Sequence, residues 1–182
     1  TFKVDHTSFT STLNQSLPQV IEIDLSKGIS GQKENTELRD TLINIENITY
    51  NGSSDVEMTG DINNNVIKSG SGNDVLYGGD GHDVLKSGAG DDFIYGQDGN
   101  DVLILNGSGT QEFDGGEGND TFKLDHNSFT SSLNPDHPSI IEIDLVRGIS
   151  GQKDNETLRD KLTSIENIKY KGSTDVEMTG DA

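Results

Sequence analysis

The sequence contains no cysteine and no tryptophan. Without thiols there are no disulfides, no thiolate zinc sites and no cysteine nucleophile. Basic residues are scarce: 13 Lys and Arg stand against 32 Asp and Glu, for a formal charge of −19 at pH 7. A chain this anionic repels nucleic-acid phosphates and acidic lipid, so neither is an expected partner. There is no run of about 18 apolar residues, and hence no membrane span is expected. Leu, Ile, Val and Phe make up about a quarter of the 182 residues. That is only just above the level of about one-fifth below which highly charged chains stay disordered. Apolar burial per residue is therefore small, and a metal ion bound through oxygen is the stabiliser that the composition leaves open.

What is present is repetition at two scales. Residues 1–61 and 121–181 align without a gap at an offset of 120, with about 42 of 61 positions identical. Both copies carry Ile-Glu-Ile-Asp-Leu (21–25, 141–145), Gly-Ile-Ser-Gly-Gln-Lys (28–33, 148–153) and Asp-Val-Glu-Met-Thr-Gly-Asp (55–61, 175–181). The order flank, middle, flank predicts one stretch of a longer tandem array. Its parts are a β-rich flank at 1–61, a repetitive middle at 62–120 and a second flank at 121–182.

The middle has a nine-residue period. SGSGNDVLY (69–77), GGDGHDVLK (78–86), SGAGDDFIY (87–95), GQDGNDVLI (96–104) and GGEGNDTFK (115–123) share the frame x-Gly-x-Gly-x-Asp-x-(Leu/Ile/Phe)-x. Fourteen of the 22 glycines fall between 69 and 118, and residues 69–120 hold 11 acidic residues against one lysine, Lys86. A flexible acidic linker would share that composition. It would not place an apolar residue two positions after each Asp, as Leu76, Leu85, Ile94, Leu103 and Phe122 do.

Each nonapeptide divides into a six-residue turn and a three-residue extended piece. Glycine lets the turn adopt positive φ and direct its carbonyls inward. Alternation in the extended piece points the apolar residue to one side. Short strands alternating between two faces coil into a parallel β-roll with a thin core. A turn then stacks on the turn 18 residues away, so Asp74 meets Asp92 on one edge and Asp83 meets Asp101 on the other. Carboxylates brought that close repel one another unless a cation lies between them. With inward carbonyls they make an all-oxygen cage suited to Ca²⁺, whereas Mg²⁺ prefers a smaller octahedral shell. Zinc is disfavoured because His82 is the single histidine of the repeats.

The frame resembles the RTX (repeats-in-toxin) calcium-binding nonapeptide. The resemblance covers 69–104 and 115–123, and it implies an all-β parallel β-roll that binds several Ca²⁺ ions, flanked by two β-rich capping segments. It also implies type I secretion in an unfolded state, folding in extracellular calcium, and residence in the medium or on the bacterial surface. The implied metal ligands are Asp74, Asp83, Asp92, Asp101 and Asp120, with carbonyls of Gly70, Gly72, Gly79, Gly81, Gly88, Gly90, Gly99, Gly116 and Gly118. Three departures matter: Gln97 replaces a glycine, Asn65 replaces an Asp, and 105–114 (LNGSGTQEFD) lacks the Asp.

In the flanks, residues 20–25 alternate as a strand, with Ile21, Ile23 and Leu25 opposite Glu22 and Asp24. Residues 36–50 fit a helix face or irregular β coils, with β favoured for 41–50, and 6–19 read as loop. His6, His126 and His137 lack zinc spacing, and no Gly-x-Ser-x-Gly elbow occurs. The expected function is therefore a non-enzymatic, calcium-dependent structural repeat whose partners are calcium and neighbouring repeats. The alternative is an adhesin module that binds a glycan or cell-surface ligand through its flanks.

Overall fold

The computed structural model describes residues 2–4, 20–37, 39–125, 140–155, 159–172 and 174–180. The loop expected at 6–19 and the histidines 6, 126 and 137 lie outside them. Among the described residues there are eighteen β-strands and no helix, so none is long and apolar enough to cross a membrane.

In the middle, strands alternate between two sheets. One sheet receives β7 (Val66–Lys68), β9 (Val84–Lys86), β11 (Val102–Leu105) and β13 (Thr121–Asp125); the other receives β8 (Val75–Asp80), β10 (Phe93–Gly99) and β12 (Glu112–Gly118). All neighbours among these strands are parallel. Each strand therefore pairs with the next but one. Val75 faces Phe93 and Val84 faces Val102, the 18-residue spacing expected from the frame. The inward residues Ile67, Leu76, Leu85, Ile94, Leu103, Phe113 and Phe122 are fully buried. Phe113 and Phe122 pack edge to face at 5.1 Å. Burying one such side chain stabilises by about 1.5–3 kcal/mol, well short of what ordering nine residues costs.

The stretch 105–114, without a recognisable repeat in the sequence, is a regular coil. Phe93 pairs with Glu112 and Val102 with Thr121, a spacing of 19. Leu105 is the extra residue, accommodated inside the core, where it is fully buried. Residues 106–114 then restore the frame, with Gln111 at the Asp position and Phe113 inward.

Both sheets run on into the flanks. In the first flank, β2 (Ile21–Asp24), β3 (Ile29–Gln32) and β4 (Arg39–Thr41) form an antiparallel meander. β6 (Val56–Thr59) joins β2 to the roll strand β8 by parallel pairing. On the opposite sheet β5 (Asn47–Tyr50) links β1 (Phe2–Val4) to β7. The second flank repeats this register 120 residues later with β14 (Ile141–Asp144), β15 (Ile149–Gln152), β16 (Arg159–Thr163), β17 (Asn167–Lys171) and β18 (Val176–Thr179). The ambiguous 41–50 segment is β or irregular, as its Ile spacing with flanking Asn suggested. Glu22 and Asp24, on the face opposite Ile21 and Ile23, are buried as well. Arg39 and Lys27 cover them.

Candidate metal centre

The glycine-rich turns stack in two columns, one along each edge of the roll, and every repeat Asp points inward. Asp74, Asp83, Asp92, Asp101 and Asp120 are all buried. One oxygen of each is committed to the ladder. Oδ1 of Asp74, Asp83, Asp92, Asp101 and Asp120 accepts the backbone N–H of Val56 (3.0 Å), Asn65 (2.7 Å), Asp74 (2.9 Å), Asp83 (2.7 Å) and Asp101 (2.7 Å) in the preceding turn of its column. The expected meetings of Asp74 with Asp92 and of Asp83 with Asp101 therefore occur, each through a side chain and a backbone amide.

The other oxygen is orphaned. Oδ2 of all five residues is buried and has no hydrogen-bond partner. A buried carboxylate oxygen without a donor is costly, and the carboxyls respond in their acidity. Burial pushes Asp83, Asp92 and Asp101 up to about 6, helped by the neighbouring carboxylates Asp101, Asp74 and Asp120 respectively. Burial also raises Asp74 and Asp120. What is missing around each Oδ2 is positive charge.

Backbone carbonyls surround Oδ2 of Asp83, Asp101 and Asp120, while the side chains of Ser69 and Ser87 lie beside Asp74 and Asp92. A β-carbon on Gly78 would collide with Asp83 Oδ2 and the Gly96 carbonyl; on Gly96 it would meet Asp101 Oδ2 and the Gly115 carbonyl. Gly115 is crowded in the same way by Asp120 Oδ2 and the Ser164 carbonyl. These first-position residues were not among the sequence candidates. A signal existed, because glycine opens the frame at 78, 96 and 115 whereas serine opens it at 69 and 87.

The glycines singled out from sequence line the same columns. The Gly70, Gly72, Gly81, Gly88, Gly90 and Gly99 carbonyls each abut a glycine of the next turn, at Gly88, Gly90, Gly99, Gly107, Gly109 and Gly118. Gly79 and Gly116 lie on either side of Gln97 in the β8–β10–β12 ladder. Gln97 keeps the glycine conformation, at φ 77°. Among the described residues no three His, Asp or Glu side chains converge. A cation bound here would take carboxylate oxygen from stacked turns and fill its shell with carbonyls, an all-oxygen donor set that suits Ca²⁺.

A second ladder, not foreseen from sequence, runs along the turn exteriors. The residue before each Asp carries an acceptor. Asp55, Asn73 and Asp91 accept the N–H of Asn73, Asp91 and Thr110 on one edge, at 2.8–3.0 Å. Asn64, His82 and Asn100 accept those of His82, Asn100 and Asn119 on the other.

Where Asp is replaced, an amide provides hydrogens. Gln111 Nε2 donates to the Gly90 carbonyl at 2.8 Å. Asn65 Nδ2 donates to the Glu46 carbonyl at 2.8 Å and to Asp61 at 3.2 Å. An amide supplies N–H donors without bringing a charge, so these two positions satisfy carbonyls that elsewhere face a bare carboxylate.

Residues 59–90 and 77–108 match a family model described as RTX calcium-binding nonapeptide repeat (4 copies). The chain carries RTX repeats. They bind calcium as a structural module, and the orphaned oxygens are the feature of this structure that fits that chemistry. The match ends near the point where Leu105 breaks the nine-residue period, while the stacked coils continue through 106–123. No curated protein matches the chain.

Proposed function

We propose that this RTX module is a secreted, non-catalytic element that stays unfolded without calcium and becomes a rigid β-roll in its presence. The observation that carries this reading is the set of five buried Oδ2 atoms without donors. Asp83, Asp101 and Asp120 serve one column, completed by carbonyls of Gly96, Gly115 and Ser164 and by those of Gly79, Gly81, Gly99, Gly116 and Gly118. Asp74 and Asp92 serve the other, with Gly70, Gly72, Gly88 and Gly90.

Bound calcium supplies the positive charge that this acidic chain lacks. Its binding free energy then adds to folding free energy. Affinities in the submillimolar to millimolar range typical of extracellular modules keep the roll open in a calcium-poor cytoplasm, suit export as an unfolded chain, and close it outside the cell. The three segments 1–61, 62–120 and 121–182 act as flank, switch and flank.

Far-UV circular dichroism tests this proposal. Calcium is expected to convert a largely disordered spectrum into a β-rich one, and Mg²⁺ at equal concentration is not. A fully folded spectrum in chelator would overturn the reading.

A further inference from the structure

The two flanks have nearly the same sequence, and each buries the face that the other exposes. In the first flank, Ile48, Tyr50, Val56 and Met58 are fully buried against the roll strands β7 and β8. Their counterparts Ile168, Tyr170 and Val176 are half-buried, and Met178 is 52% exposed where Met58 is 0%. Gly60 is crowded by the Gly78 carbonyl of the roll, whereas its counterpart Gly180 has nothing within 4 Å of a β-carbon.

The converse holds on the other side. Asp160, Leu162 and Ile165 are buried where β16 pairs with β12, and Asp160 accepts the Gln111 N–H at 3.0 Å. Their counterparts Asp40, Leu42 and Ile45 are exposed or half-buried.

We infer that both ends of the molecule are docking faces for a further nonapeptide roll. The Ile168–Tyr170–Val176–Met178 face takes the first turns of a roll, strands of the β7 and β8 type. The Asp40–Leu42–Ile45 face takes the last turns, strands of the β12 type. The occupant follows from the internal repeat, since the same residues already hold those strands 120 positions away.

End-to-end association of two copies does not meet this requirement. It would set β4 against β18, a pairing of two flank edges, whereas each edge's counterpart, β16 or β6, is covered by a roll strand. The roll of a second copy is already closed at both ends by its own flanks. The flank is therefore a two-sided connector that lets both sheets run on from one roll to the next. This rests on reading the chain as a repeat module, and it does not depend on which atoms hold calcium.

The methionines provide the test, because thioether oxidation follows exposure. The 182-residue chain is compared, in calcium, with one in which residues 63–124 are repeated directly after Ala182. A third chain carries the same added residues in shuffled order. With dilute peroxide, Met178 should oxidise several-fold faster than Met58 in the 182-residue and shuffled chains. In the extended chain it should slow to the rate of Met58. Unchanged fast oxidation of Met178 in the extended chain would overturn the proposal. Counting calcium on the 182-residue chain tests the module reading separately. Absence of bound calcium together with protection of Met178 would remove the calcium reading and leave the docking face standing.

Discussion

Buried carboxylates lie on strands in the flanks and in turns in the roll, and they differ in their partners. In the first flank, burial alone would raise Glu22, yet Arg39 and Lys27 outweigh it and hold the carboxyl below its ordinary range. Asp24 is likewise held down against burial by Lys27 and Ser26. The second flank repeats the arrangement, with Glu142 between Arg147 and Arg159. In the roll, burial wins, because 69–120 contains one lysine, Lys86, and no Lys or Arg lies close enough to lower Asp83, Asp92 or Asp101. Glu22, Asp24 and Glu142 therefore find counter-charges within their own flank. Asp160, at the junction with β12, is instead pushed up to about 7 by burial, like the carboxyls of the roll, which have to obtain counter-charge from solution.

The largest expected effect comes from breaking the roll's side of this contrast. Asp83→Ala removes an orphaned Oδ2 and a ladder acceptor together, while Asp80→Ala removes an exposed carboxylate from the same turn. Both change net charge equally. Isothermal titration should show fewer bound ions and a calcium midpoint raised by about tenfold or more for Asp83→Ala, on the order of one strong charge-assisted contact. Asp80→Ala should titrate like the parent. Equal losses would mean that general electrostatics governs uptake.

The pH response follows from the raised carboxyls. Because Asp83, Asp92 and Asp101 titrate near 6 when folded and near 4 when unfolded, protonation favours the folded state. That contribution is complete below about pH 4 and is lost as pH rises through about 6. In chelator, the roll should thus gain β structure on acidification from pH 7.5 to 5. Calcium affinity should fall over the same interval, since protons compete for the same oxygens. The flank carboxylates Glu22 and Asp24, with lowered values, should contribute in the opposite sense at lower pH. Circular dichroism at several pH values, with and without calcium, separates the two.

A smaller effect should come from converting an amide coil to a carboxylate one. Gln111→Asp removes the N–H donated to the Gly90 carbonyl and extends the Asp74–Asp92 column by one turn. It should add about one ion to the count in native mass spectrometry and lower the metal-free stability, leaving the flanks unaffected. An unchanged count would mean that the ladder geometry there cannot hold a cation.

Much of this was legible in the sequence. The nine-residue frame gave the two-sheet coil, the 18-residue stacking and the inward Asp positions, because periodicity and glycine placement are local signals. The coil at 106–114 was not legible, since a one-residue insertion at Leu105 and Gln111 in place of Asp hide it from a strict period. The first-position glycines 78, 96 and 115 were overlooked for a different reason. Their role depends on the next turn of the column, 18 or 19 residues away, which no local pattern records. The flanks' antiparallel meander was equally hidden. Gly28, at φ 66°, turns the chain so that β3 runs back along β2, yet Gly-Ile-Ser-Gly reads as readily as a loop.

The central claim is that the repeat carboxylates of the roll lack counter-charge, whereas Glu22, Asp24 and Glu142 in the flank hairpins have it. Hydrogen exchange read by segment, in chelator and in calcium, tests it most directly. The backbone amides of Asn65, Asp74, Asp83 and Asp101, which donate to the repeat carboxylates, should exchange freely in chelator and become strongly protected in calcium. The amides of the β2–β3 hairpin should gain much less. Equal protection of the roll amides in both conditions would contradict the account.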